Sequence, residues 1–323
     1  MKRTLIGLLA TTSLATTACA QSEAEEKFEN MTAEALQSEA AATGETIQAV
    51  DPAMIETGVA FDAPDAHWRA VDAENLLLID TDYGRIYVEL YPEIAPAHVE
   101  RVKTLVGMGF YDGLKFHRVI DGFMNQTGDP KGDGTGDSGM EDLPPEFTFR
   151  RGTDMPVALV GAMRTPDGDM ATGFYKALPL ATKPSSQAML TKDGKVEAYG
   201  LHCGGVTSMA RAQDPGTGNS QFFLMRAKSP WLDSQYSIWG KVVLGNAILE
   251  KIKLTEVDGQ PIEMTPDTMT DVQMATELDE GERPTVQVLD PQSTSFNRYL
   301  DTTKTDAGEY PDICEIDIPA RLG

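Results

Sequence analysis

The sequence predicts a mainly β protein, in which an antiparallel barrel is capped by two α-helices. Three observations support this prediction. Apolar segments of strand length recur between residues 76 and 275, Gly-rich turns separate them, and only two segments have helical periodicity. Short strands joined by turns are typical of antiparallel sheets, because parallel strands need a long crossover between them.

The predicted strands begin at Leu76. Residues 76–82 and 85–90 form two apolar runs joined at Tyr83-Gly84, which is the pattern of a hairpin. Further runs of the same kind are expected to complete the sheet, and they lie at 116–120, 207–210, 221–226, 238–243 and 272–275.

The two predicted helices are marked by apolar residues three and four positions apart. The first covers Val99 to Val106, and Gly107 and Gly109 are expected to end it. The second is centred on residues 248–252. Both helices are therefore expected to pack one apolar face on the sheet.

Length and charge limit the possible functions. The 323 residues are enough for one large domain or two small ones with a sizeable core. The formal net charge is −23 and is spread along the chain. Because nucleic acids and anionic membrane surfaces are negatively charged, neither is an expected partner.

The first twenty residues have the organisation of a secretory signal peptide. Two basic residues precede an apolar stretch, and Ala18-Cys19-Ala20 has the form of a cleavage site. Cleavage after Ala20 would release a periplasmic protein that does not insert into the membrane. The alternative is a lipoprotein anchored through Cys19, although Thr16 stands where such sites usually carry Leu. Residues 21–65, which are rich in Ala and Glu, are expected to form a linker or a weak helix.

Export also determines what is expected of the cysteines. Without Cys19, only Cys203 and Cys314 remain, an even number in an oxidising compartment. A disulfide between them would tie the C-terminal tail to the middle of the chain. Two free thiols are the alternative.

Three motifs carry most of the functional information. FHRVIDGFMNQTGD at 116–129 places one cation, Arg118, close to two large apolar side chains and an amide. SQFFLM at 220–225 adds an amide and two phenylalanines, and WLDSQYSIWGKVV at 231–243 adds an indole and a tyrosine. These residues offer no carboxylate pair, no nucleophile with a base and no metal-ligand cluster. They indicate an aromatic-walled proline pocket with one fixed positive donor.

These motifs, with GDGTGD at 132–137 and SMARAQDPGTGNSQFF at 208–223, resemble those of the cyclophilins, in the family's own order. The resemblance covers about residues 76–277. It implies a closed, eight-stranded antiparallel barrel, peptidyl-prolyl cis–trans isomerase activity, and a catalytic role for Arg118. The residues that it implies in substrate binding are Phe123, Met124, Gln126, Ala210, Arg211, Ala212, Gln221, Phe223, Trp231, Leu232 and Tyr236. Tyr236 departs from the His found in many relatives, so an altered substrate preference is expected.

The chemistry of prolyl isomerisation agrees with these residue types. The barrier of about 18–20 kcal/mol comes from resonance between the amide nitrogen and the carbonyl, and no bond is made or broken. An always-charged guanidinium at Arg118 can donate to the prolyl nitrogen and favour its non-conjugated form, while apolar walls hold the ring. His117 is expected to point to the other side of its strand and to be structural.

Two segments go beyond a compact cyclophilin. The isomerase domain is expected at 66–277 with an insertion at about 150–205, followed by a C-terminal extension at 278–323 that packs on the domain. Within the extension, Thr285–Leu289 and Cys314–Ile318 have strand-like patterns. The two segments could shape access to the groove, bind an envelope protein, or only stabilise the fold.

The predicted function is the isomerisation of X–Pro bonds in exported or envelope client proteins. The alternative is a catalytically weak, chaperone-like module or scaffold that binds Pro-containing segments. No cofactor and no metal are expected. DPKGDGTGDSGM at 129–140 resembles a calcium loop, but it carries Lys131 at the third position and Met140 where a bidentate Glu belongs.

Overall fold

The computed structural model describes residues 59–166 and 168–323. The predicted signal peptide, residues 1–20, and residues 21–58 of the predicted linker lie outside the described residues. Within the described part, the chain is mainly β with few helices, as the sequence predicts.

The elements are numbered in chain order. The strands are β1 (Trp68–Ala70), β2 (Leu76–Thr81), β3 (Gly84–Leu90), β4 (Arg118–Ile120), β5 (Met124–Thr127), β6 (Phe149–Arg151), β7 (Ala158–Thr165), β8 (Gly168–Tyr175), β9 (Leu178–Thr182), β10 (Val196–Gly200), β11 (Val206–Met209), β12 (Phe222–Met225), β13 (Ile238–Leu244), β14 (Glu256–Val257), β15 (Gln260–Pro261), β16 (Asp271–Met274), β17 (Val286–Leu289) and β18 (Ala320–Leu322). The α-helices are α1 (Pro96–Gly107), α2 (Asn246–Leu249) and α3 (Thr294–Thr303). Short 3-10 helices lie at Asp65–His67, Ala73–Asn75, Ser185–Leu190, Pro230–Leu232, Ala275–Glu277 and Ile313–Glu315.

The central sheet contains ten strands in the spatial order β15-β14-β4-β5-β12-β11-β13-β3-β2-β16. Its strands pair antiparallel, except that β14 runs parallel to β4, with Glu256 opposite Ile120. Seven of these strands are predicted from the sequence, with ends that differ by one or two residues, whereas β5, β14 and β15 are not predicted.

The closed eight-stranded barrel is not confirmed. The sheet has ten strands, and its pairing does not return from β16 to β15. The segment before β4 approaches the segment before β16 through an isolated antiparallel bridge between Lys115 and Thr268, beside a hydrogen bond from the Phe116 amide to the Asp267 carbonyl. Because these contacts do not extend into a regular ladder, the sheet stays open at this place.

The first four residues of strand β2 form an uninterrupted apolar run because both faces of the strand are covered there. Leu77 and Ile79 belong to the core between the central sheet and helix α1. Leu76 and Leu78 pack on the opposite side, in a cluster that includes residues of strand β17. Alternate residues of a strand point to opposite faces, so the C-terminal extension buries the face that would otherwise meet water.

Helix α1 is the first predicted helix, and its predicted apolar face is the buried one. Pro96 occupies its first position, where the missing N–H costs no helical hydrogen bond, and Gly107 is its last residue. The second predicted helix is the single turn of α2. No helix in the part of the chain that the structure describes is long and apolar enough to cross a membrane.

The C-terminal extension departs from its prediction in two places. Helix α3 is not predicted by the sequence analysis; Ser293 caps it by accepting a hydrogen bond from the Phe296 amide. The predicted strand at Cys314–Ile318 is wrong. A 3-10 helix covers Ile313–Glu315, capped by the Asp312 carboxylate on the Cys314 amide, and residues 316–318 belong to no strand. The predicted strand at 285–289 is present as β17.

The insertion and the extension each form a small sheet. The insertion forms a sheet of five strands in the order β6-β10-β9-β8-β7. The extension supplies β17 and β18, and β17 pairs with β1 on one side and with β18 on the other. Cys203 and Cys314 are joined by a disulfide across 111 positions of sequence, the pairing that the cysteine count favours. The domain boundaries drawn from the sequence stay a prediction.

Candidate functional site

Three neighbouring strands bring the main predicted site residues together. Arg118 on β4 lies opposite Gln126 on β5, and Gln126 lies opposite Phe223 on β12. Directly opposite residues of an antiparallel pair lie on the same face of the sheet. A cation, an amide and an aromatic ring therefore form one row across three strands.

Arg118 is half-exposed and has one acidic neighbour. Its side chain is 45% exposed, and its Nε lies 3.4 Å from Oε2 of Glu256. Glu256 reaches this position because β14 pairs with β4. The guanidinium is therefore oriented by an ion pair, yet it remains open to a ligand. Glu256 is not among the site residues predicted from the sequence.

The two predicted glutamines are bound to each other and to the Gly-rich loop. Nε2 of Gln126 donates to Oε1 of Gln221 over 3.0 Å. Nε2 of Gln221 in turn donates to the carbonyls of Gly134 and Gly136 at 3.0 and 2.8 Å. The orientation of both amides is thus fixed by the loop at 132–137.

Asp129 organises that loop. Its buried carboxylate accepts hydrogen bonds from the amides of Lys131, Asp133 and Gly134. Burial alone would raise the pKa of Asp129, but these backbone donors outweigh burial and hold the pKa below its usual value. A Cβ at Gly136 would lie 2.0 Å from Oδ1 of Asp129, so only glycine fits beside the carboxylate. The loop therefore folds around its first aspartate.

The apolar part of the site is one continuous cluster. Its buried members among the predicted residues are Met124, Phe223 and Leu232, and its partly buried members are Phe123, Ala210, Trp231 and Tyr236. The rings of Phe123 and Trp231 are 5.9 Å apart, and those of Phe223 and Tyr236 are 5.6 Å apart, edge to face. The wall of this cluster is thus largely aromatic.

A buried histidine that the sequence analysis missed supports this wall. His202 stacks on Phe223 with ring centroids 6.2 Å apart and meets Tyr236 edge to face. Its Nδ1 lies 3.0 Å from Oδ1 of Asp233, and its Nε2 lies 3.0 Å from Oγ of Ser208. The order of groups is that of a Ser-His-Asp triad, but Ser208 is fully buried, so no substrate could reach its hydroxyl. We interpret these three hydrogen-bonded residues as a support that positions the aromatic wall.

Arg211 and Ala212 follow strand β11 and border the cluster. The guanidinium of Arg211 lies over the ring of Tyr236, 4.6 Å from its centroid. Ala212 is exposed, and its amide donates to Oγ1 of Thr217. The role in substrate binding that the family resemblance implies for Arg211 and Ala212 stays a prediction.

His117 is half-buried. Burial is the main cause that lowers its pKa. The structural role expected for His117 stays a prediction.

Metal chemistry has no obvious ligand set here. Within residues 59–166 and 168–323, no group of three or more His, Cys, Asp or Glu side chains could hold a metal ion. The carboxylate of Asp129, the first residue of the calcium-like motif, accepts hydrogen bonds from its own loop.

Comparisons with known proteins point to one family. The family model described as cyclophilin type peptidyl-prolyl cis-trans isomerase/CLD matches residues 76–274. A Brucella suis protein described as a probable peptidyl-prolyl cis-trans isomerase is 38% identical over 184 residues, which cover 57% of this chain and 74% of the relative. The Schizosaccharomyces pombe isomerase ppi1 is 31% identical over 188 residues, which cover 57% of this chain and 90% of ppi1.

A solved structure is similar over more of the chain. The cyclophilin AquaCyp293 from Hirschia baltica superposes with a TM-score of 0.70 at 36% identity, over 79% of this chain and 93% of the other. The similarity thus extends beyond the span of the family model.

Proposed function

Because the chain belongs to the cyclophilin-type peptidyl-prolyl cis–trans isomerases, we propose that it isomerises X–Pro bonds through Arg118 and an apolar proline pocket. The pocket consists of Phe123, Met124, Phe223 and Leu232. The clients are flexible or unfolded chains that contain proline.

The proposed role of Arg118 follows from the barrier. Rotation about the X–Pro bond must break the conjugation of the prolyl nitrogen with the carbonyl, which is worth about 18–20 kcal/mol. A guanidinium N–H directed at that nitrogen stabilises its lone pair when conjugation is lost. Lowering the barrier by about 7 kcal/mol corresponds to a rate increase of roughly 10⁵-fold.

One observation carries the proposal: the row formed by Arg118, Gln126 and Phe223 across three strands. Gln126 would bind the peptide backbone on the acyl side, since Gln221 and the Gly-rich loop fix its orientation. The prolyl ring would lie against Phe223, with its nitrogen near the guanidinium. Rotation would then take place around a ring held in apolar surroundings.

We further propose that the protein acts in the periplasm on exported or envelope clients. The signal-peptide organisation of residues 1–20 supports export, and a disulfide is typical of proteins in oxidising compartments. Anchoring through Cys19 is the alternative to a free protein. The insertion at 150–205 would provide a surface for an envelope partner.

The test is cis-to-trans exchange of a blocked Ala-Pro peptide by NMR, with wild type, Arg118→Ala and Arg164→Ala. Arg164 is the matched control, because its side chain is 87% exposed on β7 of the insertion. We expect wild type and Arg164→Ala to accelerate exchange equally, and Arg118→Ala to lose most of the acceleration. Equal activity in all three proteins would refute the role of Arg118.

A binding module is the second candidate, and the ion pair between Arg118 and Glu256 is the observation that favours it. If Glu256 held the guanidinium away from the prolyl nitrogen, the groove would bind proline without catalysis. This candidate would be established by two results together. Wild type would bind the peptide without accelerating its exchange, and Glu256→Gln would accelerate it.

A further inference from the structure

Arg211 is fixed at the edge of the site by five contacts. Its guanidinium carbon lies 4.6 Å from the ring centroid of Tyr236 and 5.6 Å from that of Phe147. Its Nε donates to the carbonyl of Gln235 at 3.1 Å. Its Nη1 donates to the carbonyls of Ala212 and Gln213 at 2.9 and 3.2 Å. A long side chain that is usually mobile is therefore already ordered before a ligand binds.

The positive charge of Arg211 has no acidic partner in the described part of the chain. No carboxylate oxygen there lies within ion-pair distance of its guanidinium, whereas Arg118 is paired with Glu256. Asp214, three positions further along, accepts a hydrogen bond from the Gly216 amide through its Oδ1. Nη2 of Arg211 makes none of the hydrogen bonds described above. An ordered, uncompensated cation with a donor to spare is thus presented beside the pocket.

We propose that Arg211 selects client segments that carry Asp or Glu within two residues of the proline. The proposal rests on the proposed function and specifies its substrate class. Tyr236 contacts both Arg211 and Phe223, so the cation is separated from the proline pocket by one ring. An extended peptide advances about 3.3–3.6 Å per residue, so a side chain one or two positions from the proline can span that ring.

The chemistry favours a carboxylate for two reasons. A guanidinium offers planar donors that match a carboxylate, and such charge-assisted hydrogen bonds are stronger than neutral ones. Because the Arg211 side chain is already ordered, less conformational entropy is lost when a carboxylate binds. The chain as a whole carries a charge of −23, so acidic clients are not attracted from a distance. Selection must therefore occur at close contact.

The experiment measures the ratio of kcat/KM for two blocked peptides, Ala-Glu-Pro-Ala and Ala-Gln-Pro-Ala, by NMR exchange. A second pair places Glu or Gln after the proline. In wild type we expect the Glu peptide to exceed the Gln peptide by about three- to tenfold in at least one pair, and 1 M salt to reduce this preference. In Arg211→Gln the ratio falls to about one, whatever the absolute activity, and Arg164→Gln keeps the wild-type ratio.

Each outcome decides the proposal. A wild-type ratio near one in both pairs overturns it, and so does a preference that survives in Arg211→Gln. A purely structural role, in which Arg211 only supports Tyr236, would lower the activity on both peptides and leave their ratio unchanged. Peptide titrations in the same samples report binding alone. If wild type binds the Glu peptide more tightly but accelerates neither, carboxylate recognition stands and the isomerase proposal fails.

Discussion

Gln221 holds Gln126 in place: the side chain of Gln126 donates to that of Gln221 over 3.0 Å, although the two residues are 95 positions apart. The whole insertion lies between them in sequence, yet β5 and β12 are directly paired. The insertion therefore does not separate these two site strands in space. The Gly-rich loop fixes Gln221, so the geometry of the row depends on the loop as much as on the strands.

The first prediction concerns the aspartate inside that loop. Asp129→Asn removes the charge that gathers three backbone amides. We expect the free energy of unfolding at pH 7 to fall by about 1–3 kcal/mol, and KM for a proline peptide to rise because Gln221 loses its fixed acceptors. Urea unfolding and NMR exchange measure the two effects. Asp137→Asn, an exposed change in the same loop, is the control.

The pH dependence of this effect has a definite sign. The pKa of Asp129 in the folded protein lies below the ordinary value of 3.8. Its contribution to stability is therefore fully present above that value and is lost as the pH falls through the folded-state pKa. The stability difference between wild type and Asp129→Asn should shrink in acid. A difference that is constant from pH 7 to pH 2 would contradict this account.

A second prediction concerns the histidine behind the pocket. His202→Leu leaves the buried hydroxyl of Ser208 without its imidazole partner and removes one of the hydrogen bonds of Asp233, which keeps the bond from the His202 amide, so we expect the free energy of unfolding to fall by about 1–3 kcal/mol. Because the ring that stacks on Phe223 is also lost, KM should rise more than kcat falls. His67→Leu breaks a different, partly buried contact, with Ser295, and should lower stability without changing KM. Equal KM values in both variants would show that His202 is structural only.

What the sequence could predict depended on how local each signal was. The sheet strands, helix α1 and the motif around Arg118 are encoded by patterns of a few neighbouring residues. Helix α3 carries a helical pattern in Phe296, Tyr299 and Leu300, buried at spacings of three and one, but this signal is short. The alternation of apolar and acidic residues at 314–318 indicated a strand, and the cap from Asp312 turned it into a 3-10 helix.

Contacts between distant residues were harder to predict. The partners of His202 lie 6 and 31 positions away, and nothing in the local sequence indicates which groups its nitrogens meet. The ion pair of Arg118 with Glu256 arises only when β14 adds to the edge of β4. Closure of the sheet also depends on distant backbone segments, and here they meet in an isolated bridge.

A third prediction concerns the disulfide. The Cys203–Cys314 bond closes a loop of 111 positions, so in the chain-entropy model its loss costs up to about 4–5 kcal/mol. Reductant should therefore lower the Tm of wild type and leave that of Cys203→Ala/Cys314→Ala unchanged. At a temperature where it is folded, the double variant should still accelerate exchange of a short proline peptide. The row of Arg118, Gln126 and Phe223 lies on β4, β5 and β12, which carry neither cysteine. An unchanged wild-type Tm in reductant would refute the stabilising role.

The fourth prediction concerns a buried lysine on strand β13. Lys241 lies opposite Glu89 in the pairing of β13 with β3, but the Glu89 carboxylate is engaged by both terminal nitrogens of Arg69. The Lys241 ammonium instead donates to the carbonyl of Val242 at 3.1 Å, beside a cavity of about 190 Å³ that the disulfide also lines. Burial lowers its pKa, and the more distant charge of Asp317 opposes this only in part.

Replacing this lysine should therefore stabilise the protein. Above the ordinary lysine pKa of 10.5 the amine is neutral in both folded and unfolded chains, so its charge imposes no penalty there. As the pH falls below 10.5 the unfolded chain takes up the proton first, and the folded state becomes relatively less stable. We expect Lys241→Met to raise the free energy of unfolding at pH 7 by about 1–3 kcal/mol, with a smaller gain above pH 10.5. Lys253→Met, which removes an exposed partner of Asp267, should lower stability instead. A loss of stability in Lys241→Met at pH 7 would mean that the ammonium has a stabilising partner that its contact with Val242 does not reveal.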